Sequence, residues 1–246
     1  MENPKKQALI ISPCRSGSTA LMRALGNHSQ MTPDKHFQSI KEGQRRGGGP
    51  DYGFYDRMYL VQTLLGKETV GYANGPDCTL AVFPSEKQKA ILRRTLPVFL
   101  FREPTETYDS WLRNDLVPEG NPALCAVAYK WTWELYKQAQ KTGEVLALIT
   151  YQDFCERPET VLRDICEKVG YEFEPEMMDL QKDLNQMGVA LDKDGVKSGH
   201  YSDVNSSTKI ERKERELRIS SEALACIEAQ GLKALYQKIH SVVNVT

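Results

Sequence analysis

Short uninterrupted apolar runs recur along a chain that is otherwise amphipathic. ALII at 8–11, LPVFLF at 96–101 and VLALITY at 145–151 are the clearest, with TVGYA at 69–73 a fourth. Apolar runs of this length fit strands of a parallel sheet that is covered on both faces. Between them the pattern changes to helical spacing. Residues 19–25 form one such stretch, ended by Gly26-Asn27, and SEKQKAILRRT from Ser85 opens another with a serine cap. Pro104 stands where a first helical turn lies, ahead of TETYDSWLRNDL, and a long helical stretch follows Pro122 to Thr142. RPETVLRDICEKVG then starts with a proline and closes on Gly170. This alternation predicts an α/β fold, one doubly wound parallel sheet flanked by helices in a single domain over 1–246, with ligands at the carboxyl ends of the strands.

Two stretches depart from the order. KEGQRRGGGPDYG at 41–53 combines charges with three consecutive glycines and reads as a mobile surface loop. Residues 192–208 are polar and rich in Gly and Ser, again loop-like, and loops over the carboxyl edge of a parallel sheet are where ligands are gripped. Tyr52, Phe54, Tyr55 and Tyr59 crowd the region after the glycines, and Trp111, Trp131 and Trp133 fall on helices, a spacing that favours core.

Composition narrows the function classes. With 32 basic and 33 acidic residues in 246, no global field gathers nucleic acid or an anionic membrane, so any anion site is local. The six cysteines form no C-x-x-C pair and have no clustered histidines, which argues against zinc, a metal centre or a disulfide framework. MENPKKQ lacks an apolar stretch and no window approaches a membrane span, so a reducing cytoplasm is the expected compartment.

The candidate chemistry sits at the first strand-to-helix turn, ISPCRSGSTALMRAL at 11–25. The first amides of a helix lack intrahelical partners and its N-terminus is positive, so an anion fits there. A Walker loop needs G-x-x-x-x-G-K-[ST], and neither that spacing nor its lysine is present. A tyrosine-phosphatase reading fails because the nucleophile position six residues before Arg15 is Leu9, and a dinucleotide fingerprint needs three glycines where this turn has one. A second motif lies at VFLFREPTETYDSWLR, where Arg102 ends a strand as a planar two-pronged donor and Ser110 follows two helical turns on, able to add a neutral hydroxyl donor. Against this stands the plain alternative that Arg102 pairs with Glu103 or Glu106.

The first turn resembles the 5′-phosphosulfate loop of the sulfotransferases, in the bacterial and carbohydrate-type branch where it reads P-R-S-G-S-T; Cys14 is the one departure. The Arg102 and Ser110 spacing is similar to that family's 3′-phosphate pair, and ITYQDFCERPETVLRDICEKVG resembles its later strand and helix, so the likeness covers about 8 to 178. The resemblance implies a P-loop-like fold and transfer of a sulfuryl group from 3′-phosphoadenosine 5′-phosphosulfate to a hydroxyl or amine of a small-molecule, sugar or carrier-bound acceptor, leaving 3′,5′-adenosine bisphosphate, without a metal. Arg15 is implied as the cation at the leaving oxygen, with Ser16, Gly17, Ser18 and Thr19 around the 5′-phosphate. Lys197, Ser198 and Gly199 resemble the family's nucleotide-closing loop. His36, in TPDKHF, stands where trehalose-type members carry a glutamate base in R-P-x-E-Y-F; Glu68 and His200 are the reserves, and His28 reads as structural. Two other readings compete: a nucleotide-binding protein of this fold without transfer, and a kinase-like phosphoryl transferase, which the missing Walker lysine disfavours.

Overall fold

The computed structural model describes residues 5–36, 38–71, 75–114, 121–144, 146–190, 206–212 and 215–243. Five strands, β1 (Gln7–Pro13), β2 (Thr32–Pro33), β3 (Leu64–Val70), β4 (Thr95–Phe101) and β5 (Ala147–Thr150), form one sheet in the order β2-β3-β1-β4-β5. Every pairing is parallel; Leu9 sits opposite Gly66 on one side of β1 and Pro97 on the other.

Alternation along the buried strands divides the core into two layers. Leu9, Ile11, Phe99 and Phe101 point to one face, where they meet α6 (Pro122–Lys141) and two C-terminal helices, α9 (Ser221–Ala229) and α10 (Leu232–Val243). Ala8, Ile10, Val98 and Leu100 point to the other, against α1 (Ser18–Gly26) and α8 (Pro158–Val169). Trp111 and Trp133 are core residues, as their helical spacing suggests. Gly170 closes α8 with φ 92°, its N–H donating to Cys166 O and Glu167 O.

Several boundaries differ from the sequence expectation. The strand expected at 69–73 is β3, which runs Leu64–Val70, because Lys67 and Glu68 lie inside it and are buried there. The stretch 41–53 is not all loop: α2 (Ser39–Arg45) runs through its start and α3 (Gly53–Met58) begins at its end. Gly43, inside α2, lets the chain that follows pack close against the helix, since a Cβ there would lie 2.5 Å from the Asp51 amide nitrogen. Three shorter helices, α4 (Gln88–Arg94), α5 (Pro104–Leu112) and α7 (Tyr151–Glu156), complete the order. The residues that leave β1, β3, β4 and β5 at their carboxyl ends, Cys14, Gly71, Arg102 and Tyr151, all gather on one edge of the sheet.

Candidate active site

A cavity of about 810 Å³ opens along that edge. Its floor is the turn from β1 into α1. Cys14 N–H donates to Val70 O at 2.7 Å, and the indole Nε1 of buried Trp111 donates to Cys14 O at 2.8 Å, so the turn is braced from β3 and from α5. Arg15 has φ 67° and Gly17 φ 94°. A left-handed arginine is disfavoured and persists only where its surroundings fix it. Gly17 has a steric reason as well: a Cβ there would stand 2.4 Å from the Tyr151 ring. No side chain caps α1, and the first amide to find an intrahelical acceptor is Leu21, on Gly17 O at 3.2 Å. The Ser16 hydroxyl, fully buried beneath the turn, makes no hydrogen bond.

Four of the five turn residues expected at the site, Arg15, Gly17, Ser18 and Thr19, line the cavity together with Arg102 and Ser110. The pairing among them differs from the expectation. Ser110 Oγ accepts from Arg15 Nε at 3.1 Å, which ties the first motif to the second. Arg102 Nε donates to Glu106 Oε2 at 2.8 Å and its guanidinium lies 4.7 Å from the Tyr151 ring centroid. The carboxylate alternative weighed for Arg102 is thus present, and Glu106 accepts from Arg212 as well. Burial works to raise the Glu106 carboxyl, but the hydrogen bonds from the two arginines outweigh it and hold the group below its ordinary value. Two cations therefore converge on one carboxylate in this wall of the cavity.

On the opposite side β3 contributes Lys67 and Thr69, and Gln38, at the start of α2, completes the wall. Burial pushes the Lys67 ammonium down to about 7, against the pull of Cys14. Its neighbour Glu68 faces away and caps α2, accepting from Ile40 N–H at 2.9 Å and Lys41 N–H at 3.4 Å. Burial raises the Glu68 carboxyl to about 8 although those amides favour its charge. Lys67, Thr69, Gln38 and Arg212 were not singled out in the sequence. A lysine and a glutamate side by side between buried apolar residues were the available signal for the first.

Residues 207, 209–212 and 215–217 line the remaining side. Arg23 of α1, fully buried, ties the start of this lining to residues 180–182, donating to Ser207 O at 3.0 Å, Lys182 O at 2.9 Å and Leu180 O. The Arg218 N–H donates to Asp109 Oδ1 at 2.6 Å.

His36 is exposed and does not line the cavity; its backbone N–H donates to Asp34 Oδ1 at 3.2 Å. His28 is buried, with Gln30 N–H donating to Nδ1 at 3.0 Å, which leaves the Nε2 proton for Glu172 O at 2.8 Å. Lys197, Ser198, Gly199 and His200 lie outside the described residues. Among the described residues no disulfide joins any of the six cysteines, no group of three His, Cys, Asp or Glu is arranged to hold a metal ion, and no helix is long and apolar enough to cross a membrane.

No family model matches the sequence, and no curated protein matches it. Solved structures do. The sulfotransferase domain of the Synechococcus PCC 7002 olefin synthase superposes with a TM-score of 0.53 at 15% identity, over 93% of this chain and 95% of that one. The sulfotransferase domain from the curacin biosynthetic pathway gives 0.52 at 18% identity, over 92% and 98%. With its parallel sheet in the order β2-β3-β1-β4-β5 and its braced first turn at the carboxyl edge, the chain has the sulfotransferase fold.

Proposed function

We propose that this protein transfers a sulfuryl group from 3′-phosphoadenosine 5′-phosphosulfate to a hydroxyl or amine of a small-molecule, sugar or carrier-bound acceptor. The observation that carries the reading is Arg15: an arginine in a left-handed conformation at the uncapped start of α1, joined to Ser110 and facing a large cavity that Arg102 also lines. The open amides of Ser18 and Thr19 suit the 5′-phosphate. Arg102, freed from or shared with Glu106, suits the 3′-phosphate, with Arg212 a second cation beside it. The two sulfotransferase-domain neighbours support the reading at the level of fold.

In the transfer, the acceptor oxygen forms a bond to sulfur as the bond from sulfur to the phosphate oxygen breaks, and the electron pair stays on that phosphate oxygen. Arg15 and the α1 amides stabilise the charge that develops there. The acceptor's proton needs a base within reach. Lys67 is inside the cavity and, with a pKa of about 7, holds a neutral fraction near neutral pH. His36 serves only if the segment before α2 turns its ring inward.

Calorimetric titration tests the reading. Tight binding of 3′,5′-adenosine bisphosphate, with weaker binding of adenosine 5′-monophosphate and ATP, is the expected result, followed by release of the bisphosphate from the sulfated donor when an acceptor is supplied. Preference for ATP would instead favour phosphoryl transfer, and binding without turnover a nucleotide-binding protein.

A further inference from the structure

Among the described residues, two other than glycine have a left-handed backbone, Arg15 and Gln38, and both line the same cavity. Gln38, with φ 57°, is held by a chain of donors. Fully buried Lys41 donates from Nζ to Gly71 O at 2.6 Å and to Thr69 Oγ1 at 3.1 Å. Thr69 in turn donates its hydroxyl proton to Gln38 Oε1. Lys41 donates to one lone pair of Thr69, and Thr69 spends its proton on the Gln38 oxygen. With its oxygen on Thr69, Gln38 has its NH₂ group left for the cavity.

The sheet order sets where that NH₂ group acts. β4, which leads into Arg102 and Ser110, lies on one side of β1; β3, with Lys67 and Thr69, lies on the other. On the reading above, the donor nucleotide occupies the β4 side, which leaves the β3 side of Arg15 to the acceptor. Lys67 and Thr69 share a strand face about 7 Å apart, so the ammonium and the Gln38 amide flank one small space. The described lining there is Cys14, Gln38, Lys67 and Thr69, with no ring among them; the rings of the lining, Tyr151 and Phe154, follow β5.

We propose that Gln38 is a specificity-determining donor for the acceptor, and that the acceptor is a polyol or sugar whose attacked hydroxyl has a second oxygen on a neighbouring carbon. The attacked hydroxyl faces Lys67 and the neighbouring oxygen accepts from the Gln38 amide. A simple alcohol leaves that amide unpaired, and a phenol brings a ring to a polar wall. This inference rests on the sulfuryl-transfer reading, and its test separates the two.

The experiment measures transfer of labelled sulfuryl from 3′-phosphoadenosine 5′-phosphosulfate to methyl α-glucopyranoside, 1-propanol and phenol, with water alone as the floor. The sugar is expected to react at least tenfold faster than either comparator. Gln38→Gly and Gln38→Asn both suit a left-handed backbone, and in each the sugar-to-propanol ratio falls toward one while calorimetric affinity for 3′,5′-adenosine bisphosphate is retained. A sugar rate no greater than that of propanol or phenol, including all at the floor, overturns the proposal alone, as does an unchanged ratio in both variants. Failure of the bisphosphate to bind the parent protein overturns the donor reading and this proposal with it.

Discussion

Gly17→Ala perturbs the turn beneath the site in two separable ways. The backbone at φ 94° is one that an L-residue with a Cβ adopts at a cost of about 1–2 kcal/mol. The new methyl would lie 2.4 Å from Cδ2 and 2.6 Å from Cε2 of Tyr151, about 1 Å inside ordinary carbon contact, and forcing a ring aside by that much costs about 1–3 kcal/mol. The ring cannot simply swing away, since the Arg102 guanidinium is stacked on it. The two contributions sum to about 2–5 kcal/mol, to be read from urea unfolding of parent, Gly17→Ala, Tyr151→Ala and the double variant. The double-mutant cycle should return a coupling of about 1–3 kcal/mol, the steric part, and leave the backbone part with the alanine. Because Tyr151 supports Arg102, Gly17→Ala should also weaken bisphosphate binding. A destabilisation under about 0.5 kcal/mol, or one that Tyr151→Ala does not relieve, refutes the reasoning.

Arg102→Ala should weaken binding of 3′,5′-adenosine bisphosphate by about 1.5–3 kcal/mol and of adenosine 5′-monophosphate much less, since it removes a charge-assisted donor from the 3′-phosphate; equal losses in calorimetry would remove the assignment. Lys67→Met should abolish a rise in stability with pH: the folded lysine titrates at about 7 and the unfolded one at 10.5, so the variant is favoured over the parent below pH 7 and that advantage fades between pH 7 and 10.5, visible as converging urea midpoints. The same variant should lower turnover roughly 10²–10⁴-fold, whereas a comparable loss in His36→Gln, with the parent's acid limb gone, would transfer the role of base to His36. Arg23→Met strips the donor from three carbonyls and should cost about 2–4 kcal/mol, with limited proteolysis cutting first beside 180–182 and 207; unchanged cleavage would show that these residues are held by other contacts.

The part of this site that could be read from the sequence is the part written in uninterrupted runs. β1 and β4 are buried on both faces and apolar throughout most of their length, so the turns that follow them, with Arg15 and Arg102, were placed correctly at the carboxyl edge. β3 is equally buried but carries Lys67 and Glu68 in its middle, and a charged pair looks like the end of a strand when only hydropathy is consulted. The cavity wall it forms was lost for that reason. Gln38 gave no local signal, because its side chain is held by Thr69, 31 positions further along the chain, which Lys41 holds in turn. The contact of Arg212 with Glu106 spans 106 residues, beyond any pattern in a short window. His36 was placed by resemblance to a short motif alone, and the fold leaves its side chain exposed.

The brace from Trp111 to Cys14 also bears on how the protein comes into being. The two residues are 97 positions apart, and β1 has no sheet partner until β3 and β4 have been made. During synthesis the turn after β1 thus leaves the ribosome well before the elements that brace it, and takes its shape only once they have followed. Until then the apolar β1 has neither of its neighbours, an open edge of the kind that slow, non-local parallel sheets expose to aggregation. Folding yield in the cell should consequently respond to chaperone supply more strongly than the stability of the finished protein would suggest.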